Sequence, residues 1–235
     1  MGFLSFILMQ LMAAYLVLVE PILRANFYRN LKKQQQVDPN ARLLYYRTQI
    51  LWELSWLVVL VLIMIPIPDP LLWLGITLPN QIGWMITLAL LFGIVLSTNL
   101  IRRNPEALAN MQRSLEPQSL LLPSSAEERK WFAIATVVAG ICEELLYRGF
   151  FLRYLRTVLP GWNWIILVLI SGIVYGLSRA YQGRKGILTT TLAGFSYAII
   201  YVLSGSILPA MAFHILADLR ILFFWQPKEE KKKSR

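Results

Sequence analysis

Long apolar runs alternate with short polar ones along this chain. The runs fall at about 3–20, 49–65, 81–101, 131–150, 162–178, 187–203 and 208–225. Each approaches the roughly 20 residues a helix needs to cross a hydrocarbon core. The pattern predicts an all-α fold, a multi-pass transmembrane helical bundle of about seven spans. Two of the runs are short, which fits helices that tilt or lie partly within protein. The first run reaches about Val19 and then meets Glu20-Pro21 and Arg24, which predicts a retained first membrane helix ending there. A cleaved signal peptide would want a basic start, and Met1-Gly2-Phe3-Leu4 has none.

Composition supports the same reading. Hydrophobic residues make up 57% of the chain and charged ones 15%, against about a quarter charged in a soluble domain. The formal net charge of +10 would suggest nucleic acid in a soluble protein. Here the basic residues sit between the apolar runs and in the tail, so the expected partner is the lipid bilayer and no nucleic acid. Segments 21–48, 102–130 and 179–186, with the tail, hold 19 of the 23 Lys and Arg residues. The positive-inside bias puts these in the cytoplasm and the N-terminus outside. The loop 66–80 has no basic residue and belongs outside. Trp73, Trp84, Trp162, Trp164 and Trp225 fit interfacial belts. Segment 102–130, with Pro105, Pro117 and Pro123, reads as the longest loop. It divides N-terminal membrane helices and loops (1–126) from a functional core (127–227) and a basic cytoplasmic tail (228–235). One cysteine, Cys142, excludes an internal disulfide and a multi-cysteine zinc site. Cys142 itself reads as a small packing residue.

Ionisable groups in membrane spans are costly and mark functional sites by default. Glu53 lies within a turn of a basic loop and reads as interfacial. Glu143, Glu144 and Arg148 are different, because two adjacent carboxylates end an apolar helix. Glu144 and Arg148 are four apart and can pair. Glu143 is rotated about 100° away, which leaves it free for acid–base chemistry. The alternative is a salt bridge that only fastens a helix end. His214 and Asp218 are also four apart, so they share a face suited to lining a polar cavity. Arg220 points elsewhere and suits snorkelling. Gly172-Ile173-Val174-Tyr175-Gly176 is a small-xxx-small packing signal.

These pieces together resemble the CPBP family of intramembrane proteases, which includes the CAAX prenyl proteases and the bacteriocin-processing and Abi-like proteins. Glu143, Glu144 and Arg148 match its Glu-Glu-x-x-x-Arg motif, and the aromatic-rich continuation Arg148-Gly149-Phe150-Phe151 also resembles the family. His214 and Asp218 match its His-x-x-x-Asn/Asp motif. The middle motif, aromatic-x-x-x-His, is represented by Tyr175-Gly176-Leu177-Ser178-Arg179, so Arg179 stands where the family has histidine. The resemblance covers roughly residues 127–225. It implies an intramembrane endopeptidase that hydrolyses a peptide bond of a membrane-associated peptide or protein with a glutamate-activated water. The expected setting is a prokaryotic plasma membrane. The implied catalytic residues are Glu143 as base, Glu144, His214 and Asp218, supported by Arg148, Arg179 and Tyr175. It also implies a divalent metal, zinc in the family, with Glu143 and His214 as ligands. Against this stands a single histidine in the chain, where zinc catalysis usually draws three protein ligands. The alternative is a catalytically impaired member that acts as a membrane binding or immunity protein.

The charge bias makes a topological prediction. A reporter fused after Leu78 should read as external and one fused at the C-terminus as cytoplasmic. A cytoplasmic signal after Leu78 would defeat the assignment.

Overall fold

A computed structural model describes residues 2–226. The described residues are helical with no strand. Five helices among the described residues are long and apolar enough to cross a membrane. They are α1 (Phe3–Gln34), α2 (Ala41–Met64), α3 (Gln81–Arg103), and two further helices at Ala180–Ser204 and Ile207–Phe224. Of the seven expected runs, 131–150 falls in α5 (Ala126–Glu144) and its continuation to Val158, where Glu143, Glu144 and Arg148 lower the hydropathy. Run 162–178 is α6 (Trp164–Leu177), only 14 residues long. The expected basic cytoplasmic tail, 228–235, lies outside the described residues.

Two polar segments fold differently from their expected form. The first helix does not stop at Glu20-Pro21. A π-helical turn, Tyr15–Val19, precedes the proline, and the helix continues to Gln34. A wider turn accommodates the missing proline N–H without ending the helix. The supposed loop 102–130 contains α4 (Pro105–Leu115) and a 3₁₀ turn, Glu116–Leu121. Asn104 starts α4 by accepting from the N–H groups of Glu106 and Ala107 at 3.0 and 3.1 Å. The strap that α4 and this turn form is tied on both sides. Gln35 and Arg42 donate to the Leu120 carbonyl, Tyr46 to that of Leu121, and the Trp225 indole to that of Pro123.

The core gathers Leu16, Leu60, Met64, Leu146, Phe150, Leu167 and Tyr201, while apolar side chains of α3 such as Leu88, Phe92 and Val95 face outward. An apolar exterior is what a lipid solvent requires. Helix α6 packs closely on α7 (Gly183–Ser204). A Cβ at Gly172 would overlap the Phe195 ring, and one at Gly176 would overlap Thr191 Oγ1. The small-xxx-small stripe therefore does what its spacing predicts. Helix α7 ends at Gly205, whose φ of +66° only glycine adopts cheaply. Helix α8 (Ile207–Leu219) starts at once, with Ser206 accepting from Leu208 N–H at 3.2 Å.

The start of α5 carries a pH-sensitive tie. Ser125 caps it by accepting from Glu128 N–H at 3.1 Å. Glu128 Oε2 in turn accepts from Ser124 N–H at 2.6 Å and from Arg42 at 2.7 Å. Burial opposes the Glu128 charge, but the Ser124 N–H, the Ser124 hydroxyl and the Arg42 guanidinium outweigh it and hold the carboxyl below the usual range. A carboxyl lowered by folding stabilises the folded state above its unfolded pKa of about 4.3 and loses that contribution as pH falls through the folded value. Thermal unfolding in detergent at pH 6 and at pH 3 should therefore show a larger acid loss for the wild type than for Glu128→Gln. Equal losses would show that this tie contributes nothing.

Candidate functional site

Helix α5 delivers two carboxylates to the centre of the bundle. Glu143 and Glu144 are both wholly buried, and the chain then passes into a π-helical stretch, Leu145–Leu152, buried throughout. Such wide turns re-aim side chains and recur at functional sites. Arg148 within it turns back to donate to Glu144 Oε1 at 2.8 Å and to the Gly194 carbonyl of α7 at 3.2 Å. Its guanidinium lies against the Tyr175 ring at 4.3 Å and the Tyr197 ring at 5.1 Å. This is the supporting pair expected from the four-residue spacing.

His214, on α8, completes that layer. Its Nδ1 lies 2.8 Å from Glu144 Oε1, and its ring stacks on Tyr197 with centroids 4.6 Å apart. A carboxylate at one ring nitrogen fixes the orientation of the other. Nε2 points to Asp218 Oδ2 at 3.6 Å, Tyr175 Oη at 3.4 Å and Glu143 Oε2 at 3.9 Å. Asp218 is half exposed.

Glu143 is not left free, as its rotation away from Glu144 suggests. Its Oε1 is shared by Arg179 at 2.6 Å and Arg24 at 3.0 Å. Its Oε2 accepts from the Tyr175 hydroxyl at 2.7 Å. Arg179 lies just beyond the end of α6 and also reaches Tyr181 Oη at 3.2 Å. The expected residues Glu143, Glu144, Arg148, Tyr175, Arg179, His214 and Asp218 thus converge through direct contacts.

A cavity of about 540 Å³ lies beside them. Tyr175, Arg179, Tyr197, His214 and Asp218 line it, while the two glutamates stand behind this wall. Arg220 lines it as well, so it faces the site rather than snorkelling away. Ser114 and Gln118 of the strap and Tyr181 and Gln182 of the 179–186 segment form part of the wall.

Three residues of the N-terminal half belong to the same network and are missed or misplaced by sequence reasoning. Arg24, expected in a loop, is buried in α1. It donates to Glu20 at 2.6 Å and to Glu53 at 2.9 Å besides its contact with Glu143. Glu53, expected at an interface, is buried in α2 as Arg24's partner. Glu20 accepts from Tyr147 Oη at 2.7 Å. The four-residue spacing of Glu20 and Arg24 is the signal that could have found them. Glu53 within an apolar run asks for a cationic partner, and Arg24 is it.

The donor set does not suit a zinc ion. Glu143 Oε1 already carries two guanidiniums and its Oε2 the Tyr175 hydroxyl, so the expected carboxylate ligand is fully engaged. No group of three His, Cys, Asp or Glu side chains among the described residues is disposed to hold a metal. A fixed positive charge 2.6 Å from the expected ligand works against a second cation.

Arg24 bridges carboxylates from three separate helical segments, and removing it would leave buried charges unpaired. Arg24→Met should lower stability in detergent by about 3–5 kcal/mol. Arg24→Lys should recover only part of this, because an ammonium lacks the planar fork that reaches three carboxylates. A loss below about 1 kcal/mol for Arg24→Met, seen by thermal or denaturant unfolding, would mean the network is not coupled to folding.

No curated protein and no solved structure matches the chain. Residues 126–220 match the family described as Type II CAAX prenyl endopeptidase Rce1-like. That segment begins at the first residue of α5, ends just after α8, and contains every motif residue from Glu143 to Asp218. This segment, in which the glutamate pair, Arg148, His214 and Asp218 meet in one buried site, is what the chain shares with that family, in line with the resemblance its motifs carry.

Proposed function

We propose that this protein is an intramembrane endopeptidase that hydrolyses a peptide bond of a membrane-associated peptide or protein seated in the 540 Å³ cavity. The observation that carries the reading is the approach of Glu143 Oε2 and His214 Nε2 to 3.9 Å behind a cavity wall that also presents Arg179 and Asp218. A carboxylate to take a proton and cationic or N–H groups to steady an oxyanion are the two requirements of peptide hydrolysis. Glu143 is the proton acceptor. Arg179 and His214 flank the place where charge develops on the carbonyl oxygen. Glu144 and Arg148 orient His214. The cavity is lined by the basic-loop segments, so the substrate enters from the side that the charge bias makes cytoplasmic. A prenyl group on the substrate is not part of the proposal.

One observation favours a second reading, a binding protein that holds a membrane peptide without cutting it. Both guanidiniums converge on Glu143 Oε1, where the family has a neutral imidazole in place of Arg179. The two readings differ in one experiment. Purified protein in liposomes is mixed with a library of membrane-anchored peptides, and products are read by mass spectrometry. The endopeptidase reading expects cleavage that Glu143→Gln reduces by about 10²-fold or more and that Arg179→His weakens. If the wild type is inert and Arg179→His gains cleavage, abolished again by Glu143→Gln, the binding reading replaces it.

A further inference from the structure

Glu143 has an accessibility problem that the proposed reaction must solve. Its side chain is wholly buried and does not line the cavity. Its Oε1 is taken by Arg24 and Arg179. Its Oε2 meets one hydroxyl, that of Tyr175, at 2.7 Å. Tyr175 does line the cavity, and the same hydroxyl lies 3.4 Å from His214 Nε2. The phenol therefore stands between the buried carboxylate and the space where a substrate would lie. Its ring is held in place by the Arg148 guanidinium at 4.3 Å and by T-shaped contacts with Tyr147 at 4.9 Å and His214 at 6.2 Å.

We infer that Tyr175 is a catalytic residue, the hydroxyl through which protons pass between the substrate and Glu143. This rests on the endopeptidase reading above. In the addition step, water oxygen bonds to the peptide carbonyl carbon and the carbonyl π pair moves to its oxygen. One water proton passes to Tyr175 Oη as the tyrosine's own proton passes to Glu143 Oε2. In the collapse step the carbonyl reforms and the C–N bond breaks, its electron pair staying on nitrogen. That nitrogen takes the proton from Tyr175 Oη while Glu143 returns one to the phenol. A carboxylic acid and an amine leave, and Tyr175 and Glu143 end as they began. Relay through a bridging hydroxyl satisfies the reach that direct general-base catalysis requires, roughly 2.6–3.2 Å at each transfer.

The test uses Tyr175→Phe, which keeps the ring and its contacts and removes one oxygen. In liposomes, with a membrane-anchored peptide that the wild type cleaves, the variant should lose about 10²-fold or more in kcat while KM holds and the protein still unfolds cooperatively. The wild type provides a second readout that needs no variant. Two protons moving together should give a bowed dependence of rate on the deuterium fraction of the solvent. A variant that cleaves within a few-fold of the wild type, or a strictly linear dependence, overturns the relay and leaves the endopeptidase reading standing. A wild type that cleaves no peptide overturns both.

Discussion

One carboxylate oxygen, Glu143 Oε1, holds guanidiniums from distant parts of the chain, Arg24 at 3.0 Å and Arg179 at 2.6 Å. In a bundle whose exterior is lipid, a buried charge has no water to fall back on, so its partners are obligatory. Arg24 in turn answers Glu20 and Glu53, and Tyr147 closes on Glu20. The first two long helices are thereby tied to the family-matched segment by charge as well as by apolar packing. The chain outside residues 126–220 is part of the site's construction, since Glu143 is held from both sides of that boundary.

The site has two layers that share little. Glu144, Arg148 and His214 form one, closed by hydrogen bonds and the two tyrosine faces. Glu143, Arg24 and Arg179 form the other. Tyr175 Oη joins them, bonded to Glu143 and near His214. Arg179 carries a permanent charge at the position where the resemblance expects a histidine. In the proposed relay, proton movement falls to the neighbouring hydroxyl, four residues earlier in the chain and on the helix that Arg179 terminates.

Local spacing makes much of this legible. The glutamate pair with Arg148, and His214 with Asp218, each lie within about one helical turn, so their shared faces follow from 3.6-residue geometry. The bundle itself follows from the length of the apolar runs. Arg24 with Glu53 and with Glu143 does not, because 29 and 119 positions separate them and no local rule links such pairs. Arg24 also falls among the loop charges on a sequence reading, since Glu20-Pro21 has the form of a helix end. The π turn at Tyr15–Val19 carries the helix through that proline and sinks Arg24 into the core. The strap at 105–121 is hidden for a related reason. Its helix is amphipathic and short, so a search for apolar runs passes over it.

The glycine contact between α6 and α7 has an electrostatic consequence. Gly194 approaches Gly172 so closely that a Cβ there would stand 3.0 Å from the opposing Cα. The carbonyl of that same Gly194 receives Arg148 Nη2. Backbone proximity thus serves as the floor on which a guanidinium rests, and the width of a helix–helix seam becomes a setting for the charge layer beneath it. A methyl group added to the seam would push apart two helices and, through one carbonyl, loosen the arginine that keeps Glu144 facing His214.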